Sequence, residues 1–299
     1  MEENKESCKK DSKRIAYALF LYNILAVFVV NIVGGILFYQ GYDLNQESIV
    51  YLLNGITTVI SVSVIVYVFS KKLKTDLALQ IQHVGFIKIC KYTVIGMGLS
   101  IIMGIVVQII NEGLAVFGWN MSTPDFSLQT DYNYNLILLI STCIIAPIFE
   151  ELLFRGLILQ TLRRYGNVFA IIVTSLLFAL MHGNIPQAVP VFFLSVVICF
   201  AVIKTGSLWT GIAIHFLNNA LSVSISGFLN NQIVVLLYVA FEFFAMGYAI
   251  YFIWKHRNAI QNYILHNKSY PFTFFFRNWA SMLYLILSLI PIITSFVRV

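Results

Sequence analysis

Residues 136–159 read LILLISTCIIAPIFEELLFRGLIL, a long apolar run that contains three ionisable side chains. A helix that crosses the hydrocarbon core of a bilayer needs about 20 mostly apolar residues. This run is long enough, yet Glu150, Glu151 and Arg155 lie well inside it. One charge at the centre of a bilayer costs roughly 2.5–3.5 kcal/mol on insertion scales. The three side chains are therefore expected to face the protein interior or a wet cavity, and the fold must supply neighbouring helices around them.

The rest of the chain has the same apolar character. Of its 299 residues 59% are hydrophobic and 11% are charged, and the mean hydropathy is +0.84. Soluble domains carry roughly a quarter charged residues, and in lipid every backbone polar group must be satisfied within the chain. The sequence therefore predicts an all-α, polytopic transmembrane helix bundle of about nine helices, or eight if one of the two short segments does not span. The predicted spans are 15–39, 49–70, 92–110, 136–159, 168–181, 189–203, 208–229, 233–254 and 279–297.

The basic residues alternate between the loops. Five Lys/Arg precede the first span and five lie in 71–91, whereas 41–48 and 111–135 contain none. The later loops continue the alternation, and Arg298 is the one exception. Cytoplasmic loops are enriched in Lys and Arg, so we expect a multi-pass cell-membrane protein with its N-terminus in the cytoplasm and its C-terminus outside. The net charge of +6 is thus a topology signal, and no nucleic-acid partner is expected.

The same pattern divides the chain into four parts. They are a cytoplasmic basic tail (1–14), N-terminal transmembrane helices (15–129), a core that carries the polar motifs (130–228) and C-terminal transmembrane helices (229–299). Segment 74–91 mixes apolar residues with Lys and His, and either an amphipathic helix on the inner membrane surface or a solvated loop fits it. The four cysteines form no CxxC pair, so they indicate neither a disulfide framework nor a zinc knuckle.

Three motifs carry the chemistry. The first holds Glu150, Glu151 and Arg155; the second, FALMHG, holds Phe178 and His182; the third, IAIHFLNNA, holds His215 and Asn219. Glu151 and Arg155 are four residues apart and can pair on one helix face, which leaves Glu150 about 100° away and freer to act. A Glu–Arg clamp between helices would need only one Glu. Each His alone is more often a hydrogen-bonded core residue than a catalyst.

Taken together, EExxxR, FxxxH and HxxxN in this order on membrane helices resemble the CAAX protease and bacteriocin-processing family, also called Abi or CPBP, which includes the type II CAAX prenyl endopeptidases. The resemblance covers about residues 130–225 and implies an intramembrane endopeptidase that uses Glu150, Glu151, Arg155, His182, His215 and Asn219. The family is often described as metalloproteases, although the motifs themselves do not show a metal.

Two mechanisms fit these side chains. In one, Glu150 and His182 deprotonate a water that attacks the scissile carbonyl, and His215 and Asn219 donate hydrogen bonds to the oxyanion. In the other, Glu150, His182 and His215 are candidate ligands of a Zn²⁺ ion with an open position for water. Arg155 is expected to orient Glu151 in either case. Glu150 and His215 fall at similar depths in the inner half of the membrane, whereas His182 comes out nearer the outer end of its helix.

Two other classes of function remain open. One is a non-proteolytic membrane scaffold of the same fold that binds a partner protein. The other is a transporter or proton relay that uses Glu150, Glu151 and Glu242, although the repeated broken helices of transporters are not evident. The partners expected for a peptidase are the lipid bilayer and a peptide or membrane-protein substrate. The abundance of Ile, Asn and Lys is typical of low-GC bacteria, which favours processing of a bacteriocin or pheromone peptide, or self-immunity, over a prenylated protein.

Overall fold

The computed structural model describes residues 2–75, 82, 84–123, 125–267 and 270–298, and these residues form nine helices. The all-α polytopic fold predicted from the sequence is confirmed. Seven helices are long and apolar enough to span a membrane, and two apolar helices, α5 and α9, are shorter. The helices are α1 (Glu2–Tyr39), α2 (Glu47–Leu73), α3 (Phe86–Ala115), α4 (Tyr132–Tyr165), α5 (Asn167–Leu180), α6 (Ile185–Thr205), α7 (Leu208–Ser226), α8 (Gln232–Asn267) and α9 (Trp279–Thr294).

Several helices continue beyond the predicted apolar spans. Helix α1 includes the basic tail from Glu2, and α8 runs on to Asn267. Lys and Glu are good helix formers, so a helix can continue into water once its apolar part is formed. Within segment 74–91, Lys74 ends α2 in a left-handed conformation and α3 begins at Phe86, so part of the predicted surface segment belongs to α3. Residues 76–81 and 83 of that segment lie outside the described residues.

A short two-stranded sheet joins distant parts of the chain. Strand β1 (Trp119–Met121) pairs antiparallel with β2 (Phe296–Arg298), and Asn120 lies opposite Val297. The predicted ninth span, which ran to residue 297, was therefore too long at its end, because α9 stops at Thr294. The last residues leave the apolar stretch and satisfy their backbone groups by pairing with a second chain segment instead.

Contacts between helix ends define two opposite faces of the bundle. We call the face with loops 40–46, 116–131 and 227–231 the base-poor face. There Gln129 Nε2 donates to Glu47 Oε2 at 2.6 Å, and the Leu128 N–H donates to Ser226 Oγ at 2.8 Å. We call the other face, with the start of α1 and the ends of α2 and α4, the basic face. There Tyr165 donates to Asp11 at 2.7 Å. The helix directions place the Lys- and Arg-rich segments on the basic face and the segments without Lys or Arg on the base-poor face, as the charge pattern predicted.

The main hydrophobic core occupies the half of the bundle next to the basic face. It is built from the beginning of α1 and α9, the ends of α2, α4 and α6, and most of α5. Leu153, Phe154, Leu157 and Leu162 of α4 are completely buried in it. The buried apolar cluster in the other half is small, with Tyr134, Leu138, Cys143 and Val223 as its buried members. The two halves of the bundle are thus packed very differently.

Candidate active site

Helix α4 changes its hydrogen-bonding register on both sides of the glutamate pair. The stretches Ile140–Ile145 and Leu152–Leu159 are π-helical, with i→i+5 hydrogen bonds in place of i→i+4. In the first stretch the Ala146 N–H donates to the Ser141 carbonyl. The next bond in this register would join Thr142 to Pro147, which has no N–H. Asn219 of α7 instead donates its Nδ2 to the Thr142 carbonyl at 2.9 Å, so the break in the ladder connects α4 to α7.

Glu151 and Arg155 form a fully buried ion pair, as their spacing predicted. Arg155 Nη1 donates to Glu151 Oε1 at 2.7 Å, and both side chains are 0% exposed. Arg155 Nη2 also donates to Ser195 Oγ of α6 at 2.7 Å, and its guanidinium lies 4.5 Å from the centre of the Phe178 ring. A buried charge is stable only when it is paired and hydrogen-bonded. These contacts therefore fix α4 against α5 and α6 at the level of the glutamates.

His215 lies between the two glutamates. Its Nδ1 is 3.0 Å from Glu151 Oε1, and its Nε2 is 4.0 Å from Glu150 Oε2. An ionised carboxylate only accepts hydrogen bonds, so Nδ1 carries a proton that it donates to Glu151. In the neutral ring Nε2 is then an acceptor, and it donates only when both ring nitrogens are protonated. Glu151 thus accepts hydrogen bonds from both Arg155 and His215, and it orients the His215 ring.

Gly211 makes this arrangement possible, and the sequence motifs did not single it out. It lies one turn before His215 on α7, and a Cβ at this position would meet Glu151 Oε2 at 2.7 Å and Val202 Cγ2 at 2.9 Å. At such distances a Cβ could be accommodated only if Glu151, Val202 or α7 itself shifted. The absence of a side chain lets α7 approach Glu151 closely enough for the hydrogen bond to His215. A glycine four residues before a membrane histidine is the sequence signal that would have found it.

His182 reaches the site although its position in α5 suggested otherwise. Helix α5 has only 14 residues, about 21 Å at 1.5 Å per residue, whereas the hydrocarbon core is about 30 Å thick. The turn that follows it therefore lies deep in the bundle, with Gly183 in a left-handed conformation at φ +68°. Asn184 satisfies this turn by donating to the His182 carbonyl at 3.0 Å and accepting from the Gln187 N–H at 2.9 Å. The deep turn therefore accounts for the depth at which His182 lies.

The ring of His182 also has a defined orientation. Its Nδ1 is 2.9 Å from the Phe178 carbonyl, which can only accept, so Nδ1 is the donor and Nε2 is the acceptor of the neutral ring. The Phe178 ring packs edge-to-face against both His182 and His215, with centroid distances of 5.1 and 5.7 Å. The phenylalanine of the second motif thus spaces the two imidazoles.

One cavity of about 440 Å³ contains four of the predicted site residues in its lining. The structure brings together Glu150, His182, His215 and Asn219 on this wall, whereas Glu151 and Arg155 lie behind it and do not line it. Asn219 accepts from Asn218 Nδ2 at 3.1 Å through its Oδ1. One Nδ2 hydrogen of Asn219 is used on Thr142, and its second hydrogen remains for a further acceptor. The cavity therefore presents two acceptors, Glu150 and His182, beside an amide donor.

Residues 132–221 match the family model described as type II CAAX prenyl endopeptidase Rce1-like. This segment is similar to the CAAX protease family. The matched segment runs from the start of α4 almost to the end of α7 and includes all three motifs. The chain has no match among the curated proteins and none among the solved structures. The family match supports a membrane endopeptidase of the CAAX type.

The cavity lining contains further polar residues outside the EExxxR, FxxxH and HxxxN positions. Thr142, Gln187 and Asn218 lie within the matched segment, whereas Ser222 follows its end and Asn54 belongs to α2. Their sequence signal was present, because each is a polar residue within or next to an apolar helix. Glu242, which the relay hypothesis required, lies on α8 and is not part of this cavity lining.

The three candidate zinc ligands, Glu150, His182 and His215, line the same cavity. Within the part of the chain that the structure describes, no group of three or more His, Cys, Asp or Glu side chains is positioned to hold a metal ion. His215 directs Nδ1 to Glu151, and its Nε2 lies 4.0 Å from Glu150 Oε2. The zinc hypothesis stays a prediction.

Proposed function

We propose that the chain is an intramembrane endopeptidase that hydrolyses a peptide bond in the cavity with Glu150, His182, His215 and Asn219. The observation that carries this proposal is the shared cavity wall: a carboxylate, two imidazoles with defined ring nitrogens and an amide donor converge there within the segment that matches the CAAX endopeptidase family. A general base must reach the water whose proton it removes, and both Glu150 and His182 Nε2 are acceptors that line the same space.

The first step is attack by water on the scissile carbonyl carbon. The base, Glu150 assisted by His182, takes one proton from the water as the new C–O bond forms and the carbonyl π electrons move to oxygen. The tetrahedral intermediate then collapses and the C–N bond breaks. The protonated base returns the proton to the leaving nitrogen, so the products are a carboxyl group and an amine.

Asn219 is the oxyanion donor in this mechanism. Its Nδ2 group is held by the Thr142 carbonyl at 2.9 Å and its Oδ1 by Asn218 at 3.1 Å, so the second N–H has a fixed direction. A preorganised donor of this kind stabilises the developing charge without reorganisation. His215 adds a second donor through Nε2 when its ring is doubly protonated.

Glu151 and Arg155 act through His215. Glu151 Oε1 accepts hydrogen bonds from Arg155 Nη1 at 2.7 Å and from His215 Nδ1 at 3.0 Å. The Arg155 charge compensates Glu151 and leaves Glu150 as the carboxylate available to the substrate. Both residues are therefore positioning residues in this proposal. Among the possible substrates we favour a bacteriocin or pheromone precursor or another membrane-associated peptide. The reason is that the amino-acid composition of the chain is typical of low-GC bacteria.

The proposal is tested by comparing membrane peptidomes of cells that express the wild-type chain, Glu150→Gln or Glu242→Gln. Glu242 is a matched control, since it is also a glutamate on a membrane helix but is not part of the cavity lining. We expect the product peptides to disappear with Glu150→Gln and to persist with Glu242→Gln at equal protein abundance. Product peptides at wild-type level with Glu150→Gln would refute the glutamate-base mechanism and favour the scaffold function.

A further inference from the structure

The cavity has a direction along the membrane normal. On α2 its lining residues are Tyr51, Asn54, Gly55 and Thr58, which lie in the first turns after Glu47 at the base-poor face. On α7 the lining extends from His215 to Val223, close to the end of that helix at the same face. The cavity thus reaches from the catalytic groups toward the base-poor face on two helices that run in opposite directions.

The remaining lining residues agree with this direction. On α4 they run from Ser141 to Glu150, which is the part of the helix that comes before the buried pair. Phe126 belongs to the loop after β1 and contributes to the lining from the base-poor face itself. The Tyr51 hydroxyl donates to the carbonyl of Asp125 in the same loop. The cavity therefore extends as far as this loop on the base-poor face.

Toward the basic face the bundle is closed. Leu153, Phe154, Leu157 and Leu162 follow the glutamates on α4 and are 0% exposed. Beyond them the hydroxyls of Thr75 and Thr161 are 2.6 Å apart. Arg164 also donates to the Leu73 carbonyl at 2.9 Å, which fixes the end of α4 to the end of α2. A polar substrate would have to disrupt this core to reach Glu150 from the basic face.

The chemistry of the lining indicates what fills it. Asn54, Gln187, Asn218 and Ser222 bring amide and hydroxyl groups into the cavity. A polypeptide main chain offers an N–H and a C=O at nearly every residue, so it can satisfy these groups. An isoprenoid chain has no hydrogen-bonding group, and burying unpaired amides against it would cost free energy. The polar part of the lining is complementary to the main chain of an extended peptide, and its apolar part, which includes Phe126, Val191 and Leu194, can contact side chains.

We propose that the site takes an extended polypeptide segment that enters from the base-poor face. That face is outside the cytoplasm, because the Lys and Arg residues are concentrated on the other one. The substrate is then a secreted or membrane-anchored polypeptide whose cleavage site is exposed on the outer side of the membrane. The cleavage step rests on the proposed function, whereas the direction of access rests on the cavity alone.

The direction of access is tested by cysteine labelling in intact cells with a membrane-impermeant thiol reagent. Asn54→Cys and Ser222→Cys place a thiol in the cavity from two different helices, so one variant suffices if the other fails to fold. Ser63→Cys is the matched control, since Ser63 is exposed on α2 but does not line the cavity. Ser122→Cys and Lys72→Cys report the base-poor and the basic face, and the wild-type chain gives the background of its native cysteines.

We expect the cavity thiols and Ser122→Cys to react from outside, and Lys72→Cys to react only after permeabilisation. The cavity thiols should react on the order of tenfold faster than Ser63→Cys, because only a hydrated thiol ionises readily to the reactive thiolate. Labelling of the cavity thiols only from the cytoplasmic side, or from neither side, would overturn the proposal. This result does not depend on cleavage, so it is distinguishable from a failure of Glu150→Gln to abolish activity.

Discussion

Replacement of Gly211 by alanine should reduce cleavage strongly while the protein still folds. The added Cβ would lie 2.7 Å from Glu151 Oε2, 2.9 Å from Val202 Cγ2 and 3.3 Å from Ile198 Cγ2. Ordinary contact begins at 3.4 Å, so the Glu151 contact at 2.7 Å requires a relative shift of about 0.7 Å between α7 and the Glu151 carboxylate. Overpacking of this kind costs typically about 1–3 kcal/mol.

The functional effect follows from the position of His215 one turn further on. Its Nδ1 is 3.0 Å from Glu151 Oε1, and the same displacement would lengthen this hydrogen bond to about 3.7 Å, beyond useful hydrogen-bond geometry. Misplacement of a catalytic group by about 1 Å can cost roughly 10²-fold in rate. We therefore expect kcat to fall by one to two orders of magnitude, roughly, with little change in KM, because Gly211 lies behind the cavity wall.

The assay measures kcat and KM on a peptide identified by the peptidome comparison, together with the thermal unfolding of the purified protein. Gly247→Ala is the control, because a Cβ at Gly247 of α8 would meet nothing within 4 Å. That change should leave cleavage unaffected and keep or slightly raise stability, since alanine is the better helix former. Wild-type kcat in Gly211→Ala would refute the requirement for close approach of α7 to Glu151.

Three further changes probe the same site. Arg155→Ala should lower abundance and unfolding temperature as well as activity, because it leaves Glu151 buried without its partner at a cost of roughly 3–5 kcal/mol; normal stability by thermal unfolding would contradict the role of the pair. Asn219→Ala should lower turnover about 10²–10³-fold if Asn219 is an oxyanion donor; loss of bound metal by elemental analysis instead would indicate a ligand role. Ser195→Ala should cost about 1.5–3 kcal/mol, as expected for a hydrogen bond to a charged group; an unchanged unfolding temperature would show that this bond is dispensable.

Much of the architecture was predictable from the sequence because the signals are local. The apolar runs and the alternation of Lys and Arg predicted about nine helices with alternating direction, and the described residues form nine. The i, i+4 spacing of Glu151 and Arg155 predicted their pairing, which the structure shows at 2.7 Å. In both cases the physical cause, lipid solvation or the helical repeat, acts between residues that are close in sequence.

The remaining features depend on contacts between distant residues. Ser195 as a partner of Arg155 and Gly211 as the approach point of α7 require the packing of three helices, which no spacing rule provides. The depth of His182 depends on how short α5 is and on where its start lies. The β1–β2 pairing joins three-residue strands far apart in the chain, and strands this short have no detectable alternation. Pro147 is evident in the sequence, but that it leaves the Thr142 carbonyl without a helical donor depends on the π-helical register of α4.

The π-helical stretches of α4 have a consequence for comparing this chain with its relatives. A π-helical turn holds a residue more than the α-helical turn it replaces, so loss of one residue between 140 and 145 could be absorbed by a return to the ordinary ladder. The outer part of α4 would then keep its orientation relative to Glu150, and only the side chains of the shortened turn would change. A one-residue gap between this chain and a similar one could therefore fall inside the transmembrane helix, beside Glu150, as well as in a loop. Such a deletion would alter the cavity wall locally while leaving every motif in place.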